Sequence, residues 1–458
     1  MNALLDRIEE YDNEINAFVT VLSDEAQDAA EDAEQAVESG AELGLLHGVP
    51  VAIKDLTDVE GVKTTYGSQL FADNIADANA IVVDRLLNAG AIIIGKTNTP
   101  EFGRKPMTTN KLVGATRNPW NTEKTAGGSS GGSAAALASG MVPLAQGSDA
   151  AGSIRIPASA CGVYRLMPDF GRVPQGPTRA DAFVNTHPYV FLGPLARTVE
   201  DAAFMLDVVA GPDPADPFSL PNPTESYRSA TRKSVSGLSV AYSPDLGICT
   251  VGDDVLAVVE EALDAFTTVG AEITELDGVI EQSWDEFHDA IEVLLQERYA
   301  GMADNFRKDL DVELLDHYED LTCEVASRLK KAQSLDHLSV RRAERARTTG
   351  YDDVQAVFED HDVLVTPTLG ISPFDKDTQP TEIDGTEIDP LHGWALTWPY
   401  DLTGNPAASV PCGFTSDGLP VGLQIAGPRL EDQTVVRVSA MLERAFSWPE
   451  QYPPASLQ

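Results

Sequence analysis

The chain is short of cations, cysteine, histidine and long apolar runs, and each shortage closes a class of function. Lys plus Arg total 32 against 72 Asp plus Glu, a formal charge of −40 over 458 residues. Such a surface repels nucleic acid phosphates and anionic lipid headgroups, so neither is an expected partner. The four cysteines, Cys161, Cys249, Cys323 and Cys412, are too scattered for a zinc site or a disulfide framework. They are expected as buried thiols in a reducing compartment. The seven histidines, His47, His288, His317, His361 and His392 among them, show no metal-ligand spacing, so each is expected to be structural or exposed, with no metal bound. No run of about 18 apolar residues occurs, and Met1 to Arg7 lack a basic segment followed by an apolar one. The expected location is the cytoplasm.

What the chain does hold is 43% apolar residues, enough for a large core in one big α/β domain or two ordinary ones. The acidic excess self-repels at low ionic strength and is screened to a few Å by molar salt. With lysine scarcer than arginine, this points to a salt-accumulating cytoplasm and to loss of structure on dialysis into low salt.

Apolar spacing predicts a regular order of elements. Ser23 to Glu42, rich in Ala, Glu and Asp, reads as a solvated helix. Gly48 to Ile53 reads as a buried strand ending at Lys54, and Ala80, Val83, Leu86 and Leu87 as a helix stopped by Gly90 before the strand-like Ala91 to Gly95. The same helix-then-strand order recurs from Val255 to Thr274. Further strand-like runs follow at Val363 to Val365, Ala408 to Val410 and Val421 to Ile425. This alternation predicts a layered α/β architecture built on one large sheet, a single domain over 1–458. Gly211 to Pro223 is expected as a loop, and about 280–348 as a mainly helical peripheral or lid-forming region.

Chemistry concentrates in two motifs. In Gly127-Gly128-Ser129-Ser130-Gly131-Gly132-Ser133, four glycines surround two serines ahead of the helix-forming Ala134 to Ala138. Such a turn brings backbone N–H groups and a helix N-terminus near a developing negative charge. A plain glycine-rich connection into a helix has the same composition. A phosphate cradle does not fit, because no lysine follows in the P-loop position. In Asp149-Ala150-Ala151-Gly152-Ser153, a serine follows three small residues whose N–H groups can form an oxyanion hole, a feature worth about 3–4 kcal/mol per donor.

Taken with Lys54 in Gly48-Val49-Pro50-Val51-Ala52-Ile53-Lys54-Asp55, these motifs resemble the signature of the amidase signature family. Ser129 and Ser153 are 24 residues apart, the family's spacing of bridging serine and nucleophile. The likeness continues through Gly95 to Gly103, Gly114 to Trp120, Gly404 to Ala407 and Gly418 to Gln424. It implies an α/β/α sandwich around a large mixed sheet, no cofactor, and amide hydrolysis by a Ser, cis-Ser, Lys triad. Ser153 would be the nucleophile, Ser129 the relay held by a cis Gly128–Ser129 peptide, and Lys54 the base. The N–H groups of Ala150, Ala151, Gly152 and Ser153 would receive the oxyanion. Ala150, Ala151 and the run Tyr164-Arg165-Leu166-Met167-Pro168-Asp169 depart from the usual family pattern.

The leading reading is therefore a hydrolytic amidase acting on a small-molecule amide, with monomer and homodimer both open. One alternative is the glutamine-hydrolysing subunit of a transfer-RNA amidotransferase, which shares the triad and holds glutamine with an arginine and an aspartate. Arg347 matches the first of these, but Trp394 stands at the place of the second, and its indole suits an apolar group rather than an ammonium. A catalytically silent scaffold with the same fold is the remaining class, motivated by the departures after Ser153. Arg155 is expected to brace the loop through Asp149 or to form an ordinary surface pair.

Overall fold

The computed structural model describes residues 1–176, 182–183 and 185–454. Eleven strands form one mixed sheet. In chain order they are β1 (Phe18–Val21), β2 (Pro50–Lys54), β3 (Ile92–Thr97), β4 (Leu144–Asp149), β5 (Tyr164–Met167), β6 (Phe191–Ala196), β7 (Ser239–Tyr242), β8 (Glu272–Glu275), β9 (Val363–Pro367), β10 (Ala407–Phe414) and β11 (Pro420–Ala426). Their spatial order is β1-β3-β2-β4-β6-β5-β10-β11-β9-β7-β8. β2 runs parallel to both β3 and β4, whereas β4, β6, β5, β10 and β11 follow one another antiparallel.

Alternation along the strands builds two apolar layers, because successive side chains leave opposite faces. Val51, Ile53, Ile93, Val363, Val365, Leu423 and Ile425 join one core under the helices Ile81–Asn88, Val199–Val209, Asp253–Thr268 and Asp432–Phe446. Ala52, Ile92 and Ile94 point the other way, against the Gly131–Ala138 and Arg155–Cys161 helices, and Leu364 and Ala426 face the Trp284–Asp309 and Trp398–Thr403 helices. The result is an α/β/α sandwich. Lys54 follows Ile53 and so emerges on the Ala52 face, at the end of β2.

The expected helical region is three helices, Trp284–Asp309, Cys323–Gln333 and His337–Val357. They are more than peripheral. Tyr299, Met302 and Phe306 share a core with Tyr66, Phe71 and Phe102 from the segments beside β2 and β3, which clamps these helices over one end of the sheet. Three of the four cysteines are buried, but Cys323 is exposed, correcting the expectation. It opens a surface helix, with its Sγ 3.2 Å from Glu324 Oε2.

Candidate active site

Lys54 closes β2, and Asp149 closes its parallel neighbour β4, with Ile53 opposite Gln146. This register sets the lysine beside the start of the Asp149–Ser153 turn. The Lys54 side chain is fully buried, and its Nζ lies 2.7 Å from Ser129 Oγ, 3.1 Å from Ser148 Oγ and 3.2 Å from the Ser148 carbonyl oxygen. Burial holds its pKa well below the ordinary lysine value; Arg165 and Arg298 push it further down and Asp149 opposes. A neutral amine has two N–H donors and one lone pair. With the two Ser148 oxygens accepting those donors, a neutral Lys54 would have its lone pair free to accept from the Ser129 hydroxyl. Ser148 was not singled out from sequence, although it immediately precedes the Asp149–Ser153 motif.

The Gly128–Ser129 peptide is cis. A Cβ on Gly128 would sit 2.7–2.8 Å from backbone atoms of Met107 and Lys105, so only glycine fits ahead of Ser129. Ser130 ties the two serine loops together, its N–H donating to the Ser153 carbonyl at 2.9 Å.

The turn carrying Ser153 is organised by Asp149. One carboxylate oxygen accepts the Gly152 N–H, and the other accepts the Ile154 N–H at 3.3 Å and the Arg155 Nε–H at 3.0 Å. Gly152 has φ +98°, and a Cβ there would lie 1.9 Å from Thr397 Oγ1, so the turn needs glycine. This corrects the expected oxyanion donor set. The Gly152 N–H is committed to Asp149, whereas those of Ala150, Ala151 and Ser153 have no hydrogen-bond acceptor among the described residues.

Arg155 is no surface pair. It is fully buried between two carboxylates, 3.0 Å from Asp149 and 2.5 Å from Asp401, and its Nη1 donates to the Thr397 carbonyl at 2.8 Å. Burial alone would raise Asp149, but the Arg155 charge, the hydrogen bonds with Arg155 and Asp401 and the Arg165 charge together outweigh it and keep the carboxylate below its usual range. Asp401 goes the other way, pushed well above that range by burial and by the charge on Asp149.

Ser153, Ser129, Ser148, Ala150 and Ala151 line one side of a cavity of about 80 Å³. It is also lined by Phe102 to Pro106 and, from the helical region, by Leu295, Arg298, Tyr299 and Arg328. Arg104, Lys105, Arg298 and Arg328 bring four cationic side chains to it, and no Asp or Glu lines it among the described residues. None of these four was singled out from the sequence, because only the tertiary packing gathers them.

Two expected pocket residues lie elsewhere. Trp394 is fully buried, with its indole N–H donating to the Pro390 carbonyl and its ring edge-on to Phe374, so it packs in the core rather than facing substrate. Arg347 donates from Nε to the Leu402 carbonyl at 2.6 Å and from Nη1 to the Thr186 carbonyl at 2.8 Å, and stacks over Tyr189 beside a separate open groove. The fold also joins two histidines that sequence spacing kept apart. His288 Nε2 lies 3.0 Å from His392 Nδ1, with Asp389 alongside, and His392 reaches the cavity wall.

Comparison with known proteins agrees with this geometry. A family model described as Amidase matches residues 1–436. The acylamidase of Rhodococcus erythropolis is 43% identical, with 99% of this chain and 93% of that protein covered. A glutamyl-tRNA(Gln) amidotransferase subunit of Thermosynechococcus vestitus is 35% identical, covering 98% and 95%. Among solved structures, a bacterial aryl acylamidase of the amidase signature family superposes with a TM-score of 0.94 at 33% identity, over 100% of this chain and 94% of that one. The chain therefore belongs to the amidase signature family and is an amide-hydrolysing enzyme.

Proposed function

We propose that the enzyme is an acylamidase, cleaving the C–N bond of an acylated amine through an acyl-enzyme on Ser153. Neutral Lys54 takes a proton from the Ser129 hydroxyl while Ser129 takes one from Ser153, whose oxygen attacks the amide carbon. The oxyanion is received by the N–H groups of Ala150, Ala151 and Ser153. The proton returns through Ser129 to the departing nitrogen, and the C–N bond breaks. Water then enters by the same relay and releases the carboxylic acid. The carrying observation is the 2.7 Å contact of Lys54 Nζ with Ser129 Oγ, with both other Nζ contacts on Ser148.

The acylamidase reading is favoured over glutamine hydrolysis by two observations. The more similar relative is the acylamidase. Glutamine's α-carboxylate would suit the cationic lining, but its α-ammonium would lack a partner, because the described lining holds no Asp or Glu. The acidic composition supports a working environment of molar salt in the cytoplasm. Ser153→Ala tests the assignment: amide hydrolysis in molar KCl is expected to fall by about 10⁴- to 10⁶-fold, and an unchanged rate would remove Ser153 from the mechanism.

A further inference from the structure

We infer that the substrate carries a carboxylate within a few bonds of the scissile amide, held at the cavity wall by Arg104 with Arg328 beside it. This rests on the acylamidase reading and names the chemistry of its substrate.

Acids outnumber bases by more than two to one across the molecule, yet the described lining of the Ser153 cavity inverts that ratio. Neighbouring acids account for part of the excess. Glu292 accepts from Arg328 Nη2 at 2.5 and 2.7 Å, and Glu324 pairs with Lys105 at 3.1 Å. The buried Glu101 carboxylate is taken up by Ser68 and Thr322. The Arg104 side chain has no ion pair or hydrogen bond among the described residues; its backbone N–H donates to the Glu101 carbonyl at 3.0 Å. Its Nε is buried without a partner, and so is Nη1 of Arg328.

Arg104, half-buried, and Arg328, buried, line one small cavity and repel each other, and each holds a buried orphan donor. An unpaired buried donor is destabilising, the more so when charged, unless something else supplies the acceptor. A carboxylate in the cavity gives the terminal nitrogens of Arg104 an acceptor, since its two oxygens match the guanidinium fork. About 80 Å³ holds roughly half a dozen water-sized groups, so the anionic group is small and close to the amide. The inversion also has a use in this protein. A cationic pocket in a strongly acidic molecule is the one place where an anion is drawn in rather than turned away.

The test uses two matched pairs in molar KCl. N-phenylsuccinamate against butyranilide carries the charge on the acyl side, and 3-acetamidobenzoate against acetanilide carries it on the amine side. The expected result is a preference of at least about tenfold in kcat/KM for the charged member of one pair, the usual worth of a buried charge-assisted contact. Arg104→Gln is expected to bring that ratio close to one, and Arg104→Lys, which keeps the charge but not the fork, to retain only part of it. A ratio of one or below in both pairs for the wild-type enzyme, with the neutral amides turned over, overturns the inference and leaves the acylamidase reading standing. No turnover of any of the four overturns both.

Discussion

At the scale of single residues, the proposed chemistry depends on a lysine whose pKa burial holds well below the ordinary value. Its closeness to Ser129 was legible from spacing and family likeness alone. The third partner was not, because nothing in a serine following a glycine says which lysine it will touch until β2 and β4 lie in register. The same limit explains Trp394 and Arg347. Each lies in a segment with a plausible family role, but side-chain direction sends one into the core and the other to a different groove. Because Lys54 must be neutral to accept a proton, kcat/KM is expected to fall on acidification through a single ionisation lying well below the ordinary lysine value. A pH–rate profile checks this. Activity confined to pH values above the ordinary lysine pKa would show that the amine is charged in the free enzyme.

Between elements, the cavity is made where the helical region closes over the ends of the strands. β2, β3 and the C-terminal strands were readable as short apolar runs, and the alanine- and acid-rich stretch from Ser23 to Glu42 as a solvated helix. The helical wall was visible only as helices, since its contribution comes from contacts between residues far apart in the chain. One such contact is the Glu292–Arg328 clamp between the Trp284–Asp309 and Cys323–Gln333 helices. Burial would raise Glu292, but Arg328, followed by His392 and Arg104, brings it down to about 2 from the ordinary 4.5. A carboxyl depressed on folding adds stability that is fully present above its unfolded pKa and lost as pH falls through the folded one. Glu292→Gln is therefore expected to cost about 3 kcal/mol at neutral pH. The difference from wild type should close as pH falls from about 4.5 towards 2. Denaturant midpoints measured across that range decide it, and a gap independent of pH would mean the clamp acts by packing alone.

For the whole molecule, the charge of −40 is spread over faces such as the Ser23–Ser39 helix, where Asp24, Glu25, Asp28, Glu31, Asp32, Glu34 and Glu38 are all exposed and only Ala26 is buried. Screening by salt relieves their repulsion, so dialysis from molar KCl into low salt is expected to cost helical signal and activity together. Circular dichroism and an anilide assay on the same samples would show it, and full retention of both would contradict a molecule built for high salt. The fold class was legible from the alternation of elements, and the reaction class from three residues in their family setting. The cationic cavity was not, because total charge says nothing about where the few bases gather. The most direct measurement of the central claim is the mass of the intact chain after reaction with a fluorophosphonate in molar KCl. One adduct on Ser153, absent from the Ser153→Ala chain and formed more slowly as Lys54 becomes protonated, is the predicted result. No adduct on wild type, or one that persists in the Ser153→Ala chain, would contradict it.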